Sequence, residues 1–471
     1  MRMDEIPGAK SRVDSIQGSP AKRTELVRKL ITKYGASGFV AVVFGGLFWR
    51  QCQFVNRYAV NMMFWDQWDF YTPIMNGNWW RIFIHQHGPH RQGAGFLITA
   101  VLAKLSGWNS RWDAFGVSYL ILLAAILAIP IARRCGVRSG FAMTAVPLLF
   151  FNIRQYEMFA GASNLSHGAM PILLLMLYCL AWFITGRVWR LAILSFLTFL
   201  LIFTGFGLFM GLITPLVLVV ELAQAVRARE TRHLLWVSGA LLLIAFFWLI
   251  FSRGYHFEPA VAEFKFPHKR PLEYLYFMAL MLANFYGVPG HGFWPMMAGG
   301  CAILGLIFIC FRHAKLMLMK GIETGRENVV IFSLSAFALF YLANTAVGRV
   351  CLGLVEAPAA SRYVTLLSAG GFAIFLQLGS MRSAKFANIA CVAYALLLLA
   401  GTLNLRPDDW ASVHWLHNGR LAWREAYLET NDERSANQRS GFKVYPDSDV
   451  ITGHLEYLRQ HRLNLFSEKR E

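Results

Sequence analysis

Apolar residues in this chain run in blocks of 14 to 22 between short polar breaks, and that block length constrains the fold more than any other feature. A bilayer's hydrocarbon core, roughly 30 Å thick, is crossed by a helix of about 20 apolar residues. Inside lipid the backbone must also satisfy its own hydrogen bonds, which favours helices over open sheets. Composition agrees, with 56% of residues hydrophobic, only 15% charged and a mean hydropathy of +0.43. A soluble domain carries about a quarter of its residues as charges, and disorder needs low hydrophobicity with high net charge. The expected class is an all-α polytopic membrane protein.

Eleven spans are expected, near 36–55, 114–132, 139–152, 168–185, 189–204, 206–225, 234–251, 293–311, 329–346, 363–380 and 387–403. Two more apolar stretches, 93–106 and 272–288, compete with them. If both crossed, ArgArgCysGlyValArg (133–138) and the 227–232 arginines would face outward, against the rule that short basic loops stay cytoplasmic. Both stretches are therefore expected as helices lying in the outer interface. The result is a multi-pass protein of the cell's inner membrane with its N-terminus inside and its C-terminus outside. It divides into a basic N-terminal tail (1–34), a transmembrane body (35–403, with a first outer loop at 56–112) and an extracytoplasmic segment (404–471). The polar, basic start lacks a small-residue cleavage site and is not expected to be a cleaved signal. Net charge is +18, but Lys and Arg flank the apolar blocks, where they set orientation and meet anionic headgroups; nucleic acid is not an expected partner. The seven cysteines lack CxxC spacing and read as small buried hydrophobes.

This threading puts the unusual chemistry on one side. Eleven of the thirteen histidines fall in the outer loops 56–112, 153–167, 252–292 and 347–362 or in the tail, while the inner loops are short and basic. In the first loop, Asp66 and Asp69 sit among four aromatics in MetMetPheTrpAspGlnTrpAspPhe (62–70). An apolar setting raises a carboxylate's pKa and makes it a better general base. A plainer role is open: Asp66 capping a short interfacial helix anchored by Trp65 and Trp68. His85, His87, His90 and Arg91 follow. Their H-x-H-x-x-H spacing, broken by Gly88-Pro89, lacks the i, i+4 geometry of helical zinc sites, so hydrogen bonding to a polar substrate or phosphate is expected rather than metal binding. Glu157 either pairs with Arg154 or binds substrate. Arg349 and Arg362-Tyr363 flank the loop 347–362, where guanidiniums suit forked contacts to phosphate or simple snorkelling. No cofactor is expected. Apart from Arg50, no charged residue lies well inside a span, which disfavours ion-coupled transport. The end of the tail, 454–466, puts Leu455, Leu458, Leu465 and Phe466 near one helical face and is expected to lie on the membrane or cover the site.

The arrangement resembles the GT-C superfamily of membrane glycosyltransferases, whose long first outer loop carries an acidic motif just after the first helix. AspGlnTrpAsp (66–69) looks like that motif, and His87-Gly-Pro-His90-Arg91, GlnTyrGlu (155–157) and SerArgTyr (361–363) resemble elements of a little-characterised bacterial branch. Gly88-Pro89 stands where that branch would have an acidic residue. The resemblance implies inverting transfer of a sugar from a polyprenyl-phosphate carrier to a glycan, lipid or protein acceptor outside the membrane. Asp66 would be the base, Arg349, Arg362 and Arg91 would hold the phosphate, and Trp68, Trp79 and Trp80 would stack on sugar. The competing expectations are a ligase or polymerase of the O-antigen kind using a diphosphate-linked glycan, and a non-catalytic flippase of lipid-linked sugar.

Overall fold

The computed structural model describes residues 20–467 apart from positions 76, 139, 260, 360 and 404. Most of the N-terminal tail therefore lies outside the described residues. Helices dominate, and the strands among the described residues are two short ones forming a single hairpin. Among the described residues seven helices are long and apolar enough to cross a bilayer: α1 (Gly35–Tyr58), α2 (Arg111–Arg134), α3 (Gly205–Ala228), α4 (Thr231–Ser252), α5 (Phe293–Lys320), α6 (Arg326–Arg349) and α7 (Ala384–Gly401). This is an all-α, multi-pass membrane protein. Their ends follow helix electrostatics: α2 opens with Asp113 in its first turn and closes on Arg133 and Arg134, opposing the macrodipole at both ends.

The other four expected spans are helical but shorter. Residues 139–152 hold only the turns Phe141–Thr144 and Ala145–Phe150, and 168–185 holds Met170–Ala181 behind a π turn at Leu165–Ala169. The helices Arg187–Ile202 and Val364–Gly379 are 16 residues each, about 24 Å at 1.5 Å per residue. Val364–Gly379 is buried along nearly its whole length, so protein rather than lipid surrounds it.

The two competing stretches are helices of 14 residues, Gly93–Ser106 and Leu272–Phe285. The second differs from an interfacial helix. Phe277 through Phe285 are all buried, and the helix presses against α5 so closely that a Cβ on Gly299 would lie 1.8 Å from the Ala279 carbonyl oxygen. Nine consecutive buried residues leave no polar face to turn toward water, so the helix packs inside the bundle.

The tail forms no separate body. Pro407–Thr430, Glu433–Ser440 and Ser448–Gln460 fold back over the first loop. They share with it a second hydrophobic core of Met62, Trp68, Phe70 and Ile74 against Trp423, Phe442, Leu455 and Leu458. Asn464 Nδ2 bridges Asn61 Oδ1 (3.0 Å) and the Trp108 carbonyl (2.7 Å), and Arg420 Nη2 donates to the Ala160 carbonyl (2.5 Å). The tail covers the first loop.

Loops expected inside gather at one end of the bundle. Arg187 pairs with Glu230 and Glu323, Arg326 donates to the Ile184 carbonyl, and residues 134–138 face 379–391 across a cavity. The loops expected outside meet at the other end.

Candidate functional site

The first loop is bent into place by contacts distant in sequence. Trp65 takes a left-handed φ of 53°, uncommon for a bulky residue, and its N–H donates to the Val444 carbonyl of the tail at 2.7 Å. That turn opens the helix Gln67–Met75, which Tyr71 pins by donating to Asp113 Oδ2 of α2 at 2.7 Å. Asp66 lies just before the helix, and its carboxylate faces His87. Asp69, one turn on, accepts a hydrogen bond from the Tyr445 hydroxyl at 3.0 Å.

His87 is delivered by the hairpin of Gln86–His87 with His90–Arg91, which turns through Gly88 and Pro89, Gly88 at φ 55°. Glycine takes that conformation without strain. The His87 ring sits between the carboxylates, Nε2 3.8 Å from Asp66 Oδ2 and Nδ1 3.8 Å from Asp69 Oδ2. Phe70 meets its ring edge-on at 5.0 Å. Of the three loop histidines, His87 is the one at the acids.

The two carboxylates differ in character. Burial pushes Asp66 up, but the hydrogen bond and charge of His87, with the charge of Arg362, outweigh it and hold this acid below its ordinary pKa. The raised value expected for Asp66 is therefore corrected: its surroundings are cationic, not merely apolar. Burial does raise Asp69, since the influences of His87 and Tyr445 are too weak to cancel it and the Asp66 charge adds to it. His87 itself is raised: burial lowers it, and the two aspartates more than compensate.

The other cationic groups arrive from far along the chain. Arg349 ends α6, and its charge bears on His90 and His167. Among the described residues its guanidinium has no hydrogen bond or ion pair. Arg362 lies in the turn Ser361–Tyr363, where Glu157 Oε2 accepts its backbone N–H at 2.9 Å and Ser361 Oγ accepts that of Glu157 at 2.8 Å. Glu157 thus braces the arginine turn and does not pair with Arg154, which joins Asp409 at 3.6 Å. The Arg362 side chain reaches Glu356 at 3.4 Å and lies over the Tyr363 ring at 5.5 Å, while the Tyr363 carbonyl accepts from Tyr341 Oη at 3.2 Å. His90 and His167 fill the space between acids and arginines. His90 packs against Phe206 with the rings tilted and their centroids 4.2 Å apart, is held far below its ordinary pKa by burial, and keeps a buried Nδ1 without a partner. Gln92 Nε2 lies 3.1 Å from His167 Nε2.

Some expected site residues stand elsewhere. Arg91 is buried, and its guanidinium donates to the carbonyls of Phe251 (3.0 and 2.8 Å), Arg253 (2.6 Å) and Ile84. With four donor contacts made to backbone it anchors the hairpin and is not free for phosphate. His85 stacks on Phe96 at 5.7 Å, and burial lowers it to about 4. Trp68 is fully buried in the second core and cannot stack on a ligand. Trp79 and Trp80 are exposed, Trp79 beneath Lys104 at 4.7 Å and Trp80 stacked on Phe83.

His167 and Tyr445 went unremarked in the sequence. His167 carried one faint signal, its place in an outer loop just ahead of an apolar block. Tyr445 had none. Asp66, Asp69 and His87 can together hold a metal ion, one ligand atom from each lying within 4.8 Å of the others. Two carboxylates and an imidazole suit a hard or borderline divalent cation. Among the described residues this trio has ligand geometry, as does the group Glu221, His233 and Glu323 elsewhere in the bundle, whereas the H-x-H-x-x-H run does not.

The chain matches no protein family model, no curated protein and no solved structure.

Proposed function

We propose that this protein is a GT-C-type glycosyltransferase of the inner membrane, moving a sugar from a polyprenyl-phosphate carrier to a hydroxyl on an extracytoplasmic glycan, lipid or protein. The proposal keeps the eleven-span threading, N-terminus inside and C-terminus outside. One observation carries it: the acids of the first loop and the guanidiniums of Arg349 and Arg362, far apart in sequence, converge at one end of the bundle with two uncharged imidazoles between them. Displacement at an anomeric carbon needs that separation, a base on one flank and anion stabilisation on the other.

The roles follow from the electrostatics. Asp69 is the more basic carboxylate and the one whose strongest influences exclude Arg362, so it takes the acceptor's hydroxyl proton. The acceptor oxygen then bonds to the anomeric carbon as the carbon–oxygen bond to phosphate breaks, with inversion. The departing lipid phosphate carries its charge to Arg349 and Arg362. Asp66 and His87 orient the pair and would hold a divalent cation if the enzyme uses one.

The test is sugar transfer by the purified protein in liposomes, supplied with polyprenyl-monophosphate and polyprenyl-diphosphate sugars. Asp69→Asn should lower turnover by about 10²–10⁴-fold, the usual contribution of a general base, and Asp66→Asn by less. Near-normal turnover in Asp69→Asn would remove the base. Use of diphosphate carriers alone would favour the ligase or polymerase class, and movement of labelled carrier with no sugar bond consumed would favour the flippase.

A further inference from the structure

At the opposite end of the bundle a second charged site is built from different parts. Three elements fix its distance from the acids. α2 runs 24 residues from Arg111 to Arg134, Val364–Gly379 runs 16 residues from the Arg362 turn to Ser380, and α6 runs from Arg326 to Arg349. At 1.5 Å per residue the two ends lie about 24–36 Å apart, the thickness of a bilayer.

Between the turn after α2 and the start of α7 lies a cavity of about 300 Å³ with Arg134, Arg138 and Arg382 in its wall. Among the described residues none of the three makes an ion pair or a hydrogen bond; Arg134 only rests on the Phe183 ring at 5.3 Å. Their neighbours at the same end behave differently. Arg190 is buried on Glu221 and Glu323 (2.6 and 2.7 Å), Arg326 holds Glu323 at 2.5 Å, and Arg187 holds Glu230 and Glu323. Carboxylates were placed for those guanidiniums and not for these, although Glu327 contributes one negative group to the cavity wall. A further feature favours an anion. α7 begins at this wall, and Ser383 ahead of it makes no side-chain cap, so its first amides and positive dipole end go unanswered.

We propose that this cavity binds a phosphate-bearing anion, and that the ligand is the headgroup of an anionic phospholipid in the leaflet opposite the candidate catalytic site. Three guanidiniums converging on one recess at helix ends are suited to a phosphodiester. The volume admits a phosphoglycerol headgroup and leaves the acyl chains in the bilayer. The inference stands apart from the sugar-transfer proposal and survives its failure.

The experiment places purified protein in phosphatidylcholine nanodiscs containing a small fraction of labelled phosphatidylglycerol and measures retained label. Three variants are compared: R134Q/R138Q/R382Q, the charge-keeping R134K/R138K/R382K, and R227Q/R229Q/R232Q, which removes three exposed arginines at the same end outside the cavity. The first should lose about fivefold in retention per arginine, the lysine variant should keep most of it, and the third should stay near wild type. All replaced side chains are exposed, and monodispersity with an unchanged thermal midpoint confirms folding. Equal losses in both glutamine variants, or none in the first, would overturn the site. A parallel ³¹P titration with inorganic phosphate separates the sources: phosphate bound at the cavity that phosphatidylglycerol cannot displace would overturn the lipid assignment.

Discussion

Replacing Asp66 with Asn tests the electrostatics of the acid pair without assuming any activity. His87 Nε2 lies 3.8 Å from Asp66 Oδ2, and at that distance two unit charges attract by about 1 kcal/mol in water and about 4 kcal/mol at an effective dielectric of 20. The side chains are 26% and 41% exposed, so solvent screens the pair toward the lower figure, about 1–2 kcal/mol. At about 1.4 kcal/mol per unit, Asp66→Asn should lower the His87 pKa by about one unit. The sign follows from linkage. His87 is raised in the folded protein, so the stability it gains from the acids is fully present below its unfolded pKa and is lost as pH rises through the folded value. The thermal-midpoint gap between wild type and Asp66→Asn should accordingly be largest below the unfolded histidine pKa of about 6.5 and close as pH rises through the raised folded value. The assay is NMR titration of ring-labelled histidine with chelator present, His87 being assigned by the resonance lost in His87→Gln. Asp69→Asn provides a second reading, since Asp69 lies at the same 3.8 Å and is less exposed at 31%. A His87 midpoint that moves by less than about 0.3 unit in both variants would refute the pairing and the account of why Asp66 is held low.

Other consequences follow from packing and ligation. Gly299→Ala places a Cβ 1.8 Å from a backbone oxygen and 2.4 Å from its carbon, so α5 must move off the helix Leu272–Phe285 at a cost of about 1–3 kcal/mol; an unchanged thermal midpoint would contradict that contact. Arg91→Lys should destabilise by about 2–3 kcal/mol and speed hydrogen exchange across residues 84–92, because an ammonium cannot replace a fork shared among Phe251, Arg253 and Ile84. Unaltered exchange there with weakened carrier-lipid binding would return Arg91 to the phosphate role. Manganese binding followed by electron paramagnetic resonance should weaken by at least about tenfold in each of Asp66→Asn, Asp69→Asn and His87→Gln, and equal binding in all three would exclude the trio as the cation site.

Much of this architecture was legible in the chain because its causes are local. Apolar block length sets which segments become membrane helices, and loop charge sets which loops share an end; both depend on neighbours in sequence. That is why Asp66, Asp69, Arg349 and Arg362 could be placed at one end of the bundle without coordinates. Tertiary structure decided what each group meets. It gave the acids His87 rather than His85, because the Gly88–Pro89 hairpin turns one ring inward and leaves the other on Phe96. It spent Arg91 on carbonyls some 160 residues away and brought Tyr445 onto Asp69 across 376 positions. Sequence position reveals neither, since a pKa and a free donor depend on atoms a few ångströms distant, whichever part of the chain supplies them. The helix Leu272–Phe285 makes the same point for the fold: its apolar run guaranteed burial, but only the neighbouring α5, with Gly299 opposite, decided that protein rather than the headgroup layer would bury it.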